Sequence, residues 1–201
     1  MQSPEQRFSK AIERFDAANA HDPRGGALLY AQRMTDWLNR FAPDATEPLR
    51  LAARSQHICR WEIPRTGFPS GRIGYLQWRK RLYEFHAQKA GDILREVGYD
   101  DATIARVQSL LRKENLKGDP EMQTLEDVIC LVFLEHYFSE FSAKHDEVQI
   151  INILRRTWKK MSPRGREAAM GLNLSARDRG LIEKALIQPQ RDKSSGETEE
   201  S

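Results

Sequence analysis

Apolar residues recur at helical spacing along nearly the whole chain, and no window alternates apolar and polar residues in the manner of a strand. Phe8, Ile12 and Phe15 define the first amphipathic face, with Ser3-Pro4 ahead of it as a start signal, so the pattern predicts a helix over 6–19. The breakers between His21 and Gly26 mark a loop, and a second helix follows over 27–41, closed by Pro43. Thr46-Glu-Pro48 starts a third, which the pattern carries to Trp61. Pro64, Gly67, Pro69, Gly71 and Gly74 predict a long irregular segment. Helix resumes over 75–97 with Gly98 as its C-cap, and again over 100–112 behind an Asp100 cap. A break over 116–120 precedes the most apolar helix, 125–141, which is expected to be central and covered on most sides. Helices over 147–161 and 175–186 complete an all-α domain spanning 1–187, and the polar stretch 188–201 has nothing to bury and is expected to be a disordered tail.

Three polar groups interrupt these apolar rows. Leu49, Ala53, His57 and Trp61 are four apart, so one helix would line them on a single strip, with Arg54 and Arg60 on either side of the histidine. His86 breaks the row Leu82, Ala90, Ile93 and Val97, and Asp127 breaks the row Leu131, Leu134, Phe138 and Phe141. A buried carboxylate needs a partner, and two imidazoles converging on it from other helices are also what a divalent metal site is made of. Glu135 and His136, further along the same helix, are proton-transfer candidates. Each group has an ordinary reading beside this one: a hydrogen-bonded core histidine, or an aspartate favoured near a helix start.

Charge changes the picture by its placement. The 201 residues carry a formal charge of only +3, yet the stretch from Arg50 to Arg81 holds eight cations against the single acid Glu62. One concentrated basic segment points to a local anionic partner. Arg54, Arg60 and Arg65 are the guanidinium groups placed to grip a phosphate through paired donors, unless they serve as solvated surface. Tyr75, Trp78 and Arg79 offer stacking to a base, or simple packing. Cys59 and Cys130 belong to no CxxC pair and read as buried, reduced thiols. MQSPEQRFSK has no apolar leader core and no stretch approaches a membrane span, so the expectation is a cytoplasmic protein with no membrane partner.

The strip LAARSQHICRW resembles the second motif of the HD-domain phosphohydrolases, which commonly reads like LAALLHDIGK. Laid without a gap, Gln56-His57 falls on that family's His-Asp pair and Arg60 on its lysine. HAQKAGDIL from His86 resembles the third helix of those enzymes, and EDVICLVFLE from Glu126 resembles the late helix, placing Asp127 on its last metal aspartate. The first metal histidine has no counterpart, since LLYAQRM offers only Tyr30 or Gln32. Over residues 7–187 the chain resembles still more closely the domain-of-unknown-function 4202 family, through LLYAQRM, AARSQHI, RWEIPR, GYLQWR, QTLEDV, CLVFLEHY and KMSPRG.

The HD resemblance implies a metal-dependent phosphohydrolase acting on a small phosphorylated compound or nucleotide. His57, His86 and Asp127 would hold a divalent transition metal, Arg54, Arg60 and Arg65 would bind phosphate, and Glu135 or His136 would move the proton. The alternative is a degenerate HD-like module that binds a phosphorylated ligand, or RNA, without turnover, and a third is that the polar trio is a purely structural network.

Overall fold

The computed structural model describes residues 3–115 and 118–187, and these form helices with no strand among them. The stretch 188–201, expected from its composition to be a tail, lies outside the described residues. α1 (Pro4–Ala20) opens on the Ser3 cap, whose hydroxyl accepts from the Gln6 N–H while the Gln6 side chain closes the box. α2 (Gly26–Phe41) packs on α1 and on α3 (Glu47–Ser55), which begins at the Thr46 cap with Pro48 in its first turn. α4 (Gly71–Val97) is the longest helix, at 27 residues about 40 Å. It ends at Gly98, whose φ of 92° lets its N–H reach the carbonyls of Leu94 and Arg95. α5 (Asp101–Arg112) returns along α4 from the Asp100 cap. α6 (Pro120–His136) is the central helix, touching α2, α3, α5, α8 and α9. α7 (Phe138–Ala143), α8 (Glu147–Lys160), α9 (Pro163–Met170) and α10 (Ala176–Ile187) close the molecule, with α10 laid against α8.

The core is continuous, running from Phe15 through Met34, Leu51, Leu94, Leu111, Leu125 and Leu131 to Phe138. Cys59 and Cys130 are free and buried, as expected, and burial pushes their thiols up to about 11 and about 12. No described helix is long and apolar enough to cross a membrane.

Four departures from the sequence reading have local causes. α3 stops at Ser55 instead of running to Trp61, because Cys59 is left-handed at φ 50° and its N–H leaves the helix to bond Asn19 Oδ1 at 3.1 Å. Short 3₁₀ turns over Arg60–Glu62 and Arg65–Gly67 follow. α4 begins at Gly71, inside the stretch expected to be irregular. Gly74 there is a close-approach glycine, since a Cβ would stand 1.9 Å from the carbonyl oxygen of Pro69. α6 starts at Pro120 behind an Asp119 cap and breaks at Tyr137, so the expected single helix over 125–141 is two. α9 went unpredicted, although Ser162-Pro163 is the same start signal as Ser3-Pro4.

Candidate functional site

The break after α3 gives the site its shape. Freed from the helix, Gln56 and His57 form part of the wall of a cavity of about 570 Å³, with Arg60 on the turn that follows. Three helices supply most of the rest, each from one face. α4 gives Tyr75, Arg79 and Tyr83, α6 gives Glu126, Cys130 and Phe133, and α8 gives Ile153, Arg156, Thr157 and Lys160. Tyr30 of α2 and Lys113, the left-handed C-cap of α5 at φ 61°, complete it. Two left-handed non-glycine residues, Cys59 and Lys113, thus sit where the chain turns toward this cavity, a conformation that costs about 1–2 kcal/mol each.

Five cations, Arg60, Arg79, Lys113, Arg156 and Lys160, line the cavity against one carboxylate, Glu126. Glu126 is 2% exposed. It is ion-paired to Lys113 and, at 3.4 Å, to Lys160. Burial works against its charge, but the two ammonium groups outweigh it and hold the pKa below the usual carboxylate value. Arg79 is hydrogen-bonded to the Tyr83 hydroxyl and faces the Tyr75 and Tyr83 rings at 5.8 and 5.3 Å. Arg60 lies over the Trp78 ring at 4.6 Å, and Trp78 is fixed in turn by its bond to the Ile63 carbonyl at 2.9 Å. Among the described residues, Arg60, Arg79 and Arg156 have no carboxylate within ion-pair distance, and the Arg60 guanidinium makes no hydrogen bond.

Of the residues singled out from sequence, His57 and Arg60 line this cavity, as do Tyr75 and Arg79 of the expected stacking surface. His86 lies behind His57, their ring centres 5.6 Å apart. Asp127 does not join them. Its carboxylate takes the Ser162 N–H at 2.8 Å and the Ser162 hydroxyl at 2.5 Å, with Gln123 at 3.2 Å, so it anchors the start of α9. Arg54 is 8% exposed and forms a paired bond to Asp16 at 2.7 and 2.5 Å, while Arg65 ties its own loop through the carbonyls of Phe68 and Gly71. Glu135 accepts from Trp37 at 2.6 Å and Arg40 at 3.2 Å and meets His136 at 2.9 Å, a knot beside α2 rather than in the cavity wall.

The expected donor set for a metal therefore does not fit. His57 and His86 bring two imidazoles and Asp127 is engaged elsewhere; among the described residues no three His, Cys, Asp or Glu side chains are grouped to hold an ion. Both imidazoles are instead kept neutral. Burial lowers His57 well below its ordinary value, helped by Arg60 and by His86, and burial with Arg60 lowers His86 to about 3.

A histidine whose folded pKa is depressed leaves the unfolded chain holding the extra proton below pH 6.5. Stability contributed by His86 is full above that pH and falls as the solution is acidified toward 3, by about 1.4 kcal/mol per pH unit. Urea unfolding at pH 7.5, 5.5 and 4.5 is expected to show a shallower acid decline in His86→Leu than in the parent; equal declines would mean His86 titrates normally.

The residues missed from sequence carry a signal of their own. Tyr83 is four residues beyond Arg79 and eight beyond Tyr75, Arg156 and Lys160 are four apart, and Glu126, Cys130 and Phe133 are spaced four and three, one position round from the Asp127 row. A search for cations and aromatics sharing a helix face finds the first two sets.

A family model described as a domain of unknown function, DUF4202, matches residues 9–182. The chain belongs to this family. The DUF4202 match takes in the whole cavity wall, from Tyr30 to Lys160. No curated protein and no solved structure matches the chain.

Proposed function

We propose that the cavity binds a small phosphorylated compound, its phosphoryl oxygens taken up by Arg60, Arg79 and Arg156 with the Lys113–Lys160 pair beside them. The observation that carries this reading is the charge imbalance: five cations and one carboxylate face about 570 Å³. Lysine and arginine are held so close together only at a cost that an anion relieves, and a phosphate monoester brings about two negative charges. The volume lies within the range of about 300–1,000 Å³ usual for small-molecule sites.

The metal-dependent hydrolase implied by the HD resemblance is the second reading. What favours turnover is the neutral His57 imidazole three residues from Arg60, a proton acceptor beside a phosphate donor set. The donor set around His57 and His86 does not extend to a metal, and binding is the better-supported conclusion.

Calorimetric titration with inorganic phosphate and with sugar and nucleoside monophosphates is the test. Arg60→Ala and Arg79→Ala are each expected to weaken the tightest of these about ten-fold or more, since a charge-assisted bond contributes about 1.5–3 kcal/mol. Absence of binding by every compound at millimolar concentration would overturn the proposal. Phosphate release with added manganese, run in parallel, separates turnover from binding.

A further inference from the structure

We infer that the phosphorylated ligand carries a planar ring with a hydrogen-bonding edge, seated against Tyr30, Gln56 and His57. The inference rests on the phosphate reading above and names the part of the ligand that the cations do not explain.

Two independent observations point to the ring. The first is aromatic surface. Tyr30 and His57 are stacked with centres 4.3 Å apart and planes 17° from parallel, Tyr137 stands tilted against Tyr30 at 6.0 Å, and all three line the cavity. Burial keeps the Tyr30 hydroxyl and the His57 imidazole uncharged, so this part of the wall is π surface rather than further positive charge. A phosphate group makes little use of such a wall, whereas a planar heteroaromatic ring gains stacking contact from it.

The second observation is an unused polar atom. Gln56 is 3% exposed, yet its Oε1 has no hydrogen-bond partner. Buried polar atoms are almost always paired, and one left open in a cavity wall marks a partner that arrives from outside. Gln56 lines the cavity itself, next in sequence to His57. That oxygen is buried, so bulk water does not stand in for the missing partner. A ring with a donor on its edge, the N–H or amino group of a nucleobase or the ring hydroxyl of pyridoxal, satisfies that acceptor.

The experiment compares phosphates with and without the ring on the full chain. Ribose 5-phosphate supplies the phosphate and sugar alone; the 5′-monophosphates of adenosine, guanosine, cytidine and uridine, and pyridoxal 5′-phosphate, add the ring. At least one of the ring compounds is expected to bind about thirty-fold more tightly than ribose 5-phosphate. Gln56→Met, which keeps the shape and removes the amide, is expected to cut that advantage about ten-fold while ribose 5-phosphate binds as before. If every ring compound binds the parent within about three-fold of ribose 5-phosphate, the ring inference is overturned while the phosphate reading stands. If Gln56→Met weakens ribose 5-phosphate as much as the ring compounds, the amide does not read the ring and the inference again fails. If the free nucleosides bind as tightly as their monophosphates, it is the phosphate reading that fails.

Discussion

Asp127→Ala is expected to lower the melting temperature by about 6–12 °C and to leave ligand affinity of the folded protein unchanged within about two-fold. The carboxylate is buried and accepts from the Ser162 N–H, the Ser162 hydroxyl and the Gln123 amide. Ser162 Oγ in turn accepts from the Gly165 N–H at 3.0 Å, so one side chain of α6 sets the first turn of α9. Alanine leaves those donors facing a void. Hydrogen bonds to a charged group contribute about 1.5–3 kcal/mol each and overlap here, so the summed loss is about 3 kcal/mol. Asp127→Asn, which keeps an acceptor, is expected to lose about half as much. Differential scanning calorimetry checks the first number and titration of the ligand the second. A variant that melts like the parent but no longer binds would return Asp127 to the role its position in the sequence first gave it.

Glu126→Gln is the companion experiment, and its expected result has two signs. Removing the one acid of the cavity leaves Lys113 and Lys160 facing each other and the arginines without a counter-charge. Breaking a buried pair costs about 3–5 kcal/mol, and the half-exposed Lys160 recovers part of that in water, so a loss of about 2–4 kcal/mol is expected in low salt. Anion binding should strengthen in the same variant, because the ligand no longer shares the lysines with a resident carboxylate. Phosphate or sulfate at about 10 mM is therefore expected to restore more stability to Glu126→Gln than it adds to the parent, in proportion to RT ln(1 + [L]/Kd). Equal stabilisation of both proteins would show that the cavity charges are already balanced and would undercut the phosphate reading.

The fold was legible where local rules decide it. Ser3-Pro4, Asp100 and Gly98 mark helix ends by their own chemistry, and those ends lie where the sequence places them. The errors have causes that apolar periodicity does not weigh. Cys59 leaves the helix for the Asn19 side chain of α1, which is long-range, whereas Gly74 belongs to the first turn of α4, where it lets the Pro69 carbonyl at the helix entry come close. The site was legible in kind and only partly in place. The basic segment and the break at His57 lead to Arg60 and the cavity wall, but the test for polar residues on apolar rows favoured Asp127 over its neighbour Glu126. One residue is about 100° round a helix, enough to carry one acid to the cavity and the other to the cap of α9. The same test could not weigh Arg156 and Lys160, which stand about a hundred residues from Arg60 and only tertiary packing brings together.

That spread has a consequence for a chain still being made. The wall begins at Tyr30 and ends at Lys160, so a nascent polypeptide carries Arg60 and Arg79 well before it has Glu126 to balance them or α8 to close over them. Through that interval these cations lack their counter-charge, which arrives only when α6 and α8 emerge and dock. Products of early termination, or of cleavage between α5 and α6, would keep the charge and lack the cavity. The cavity is thus a property of the chain through α8.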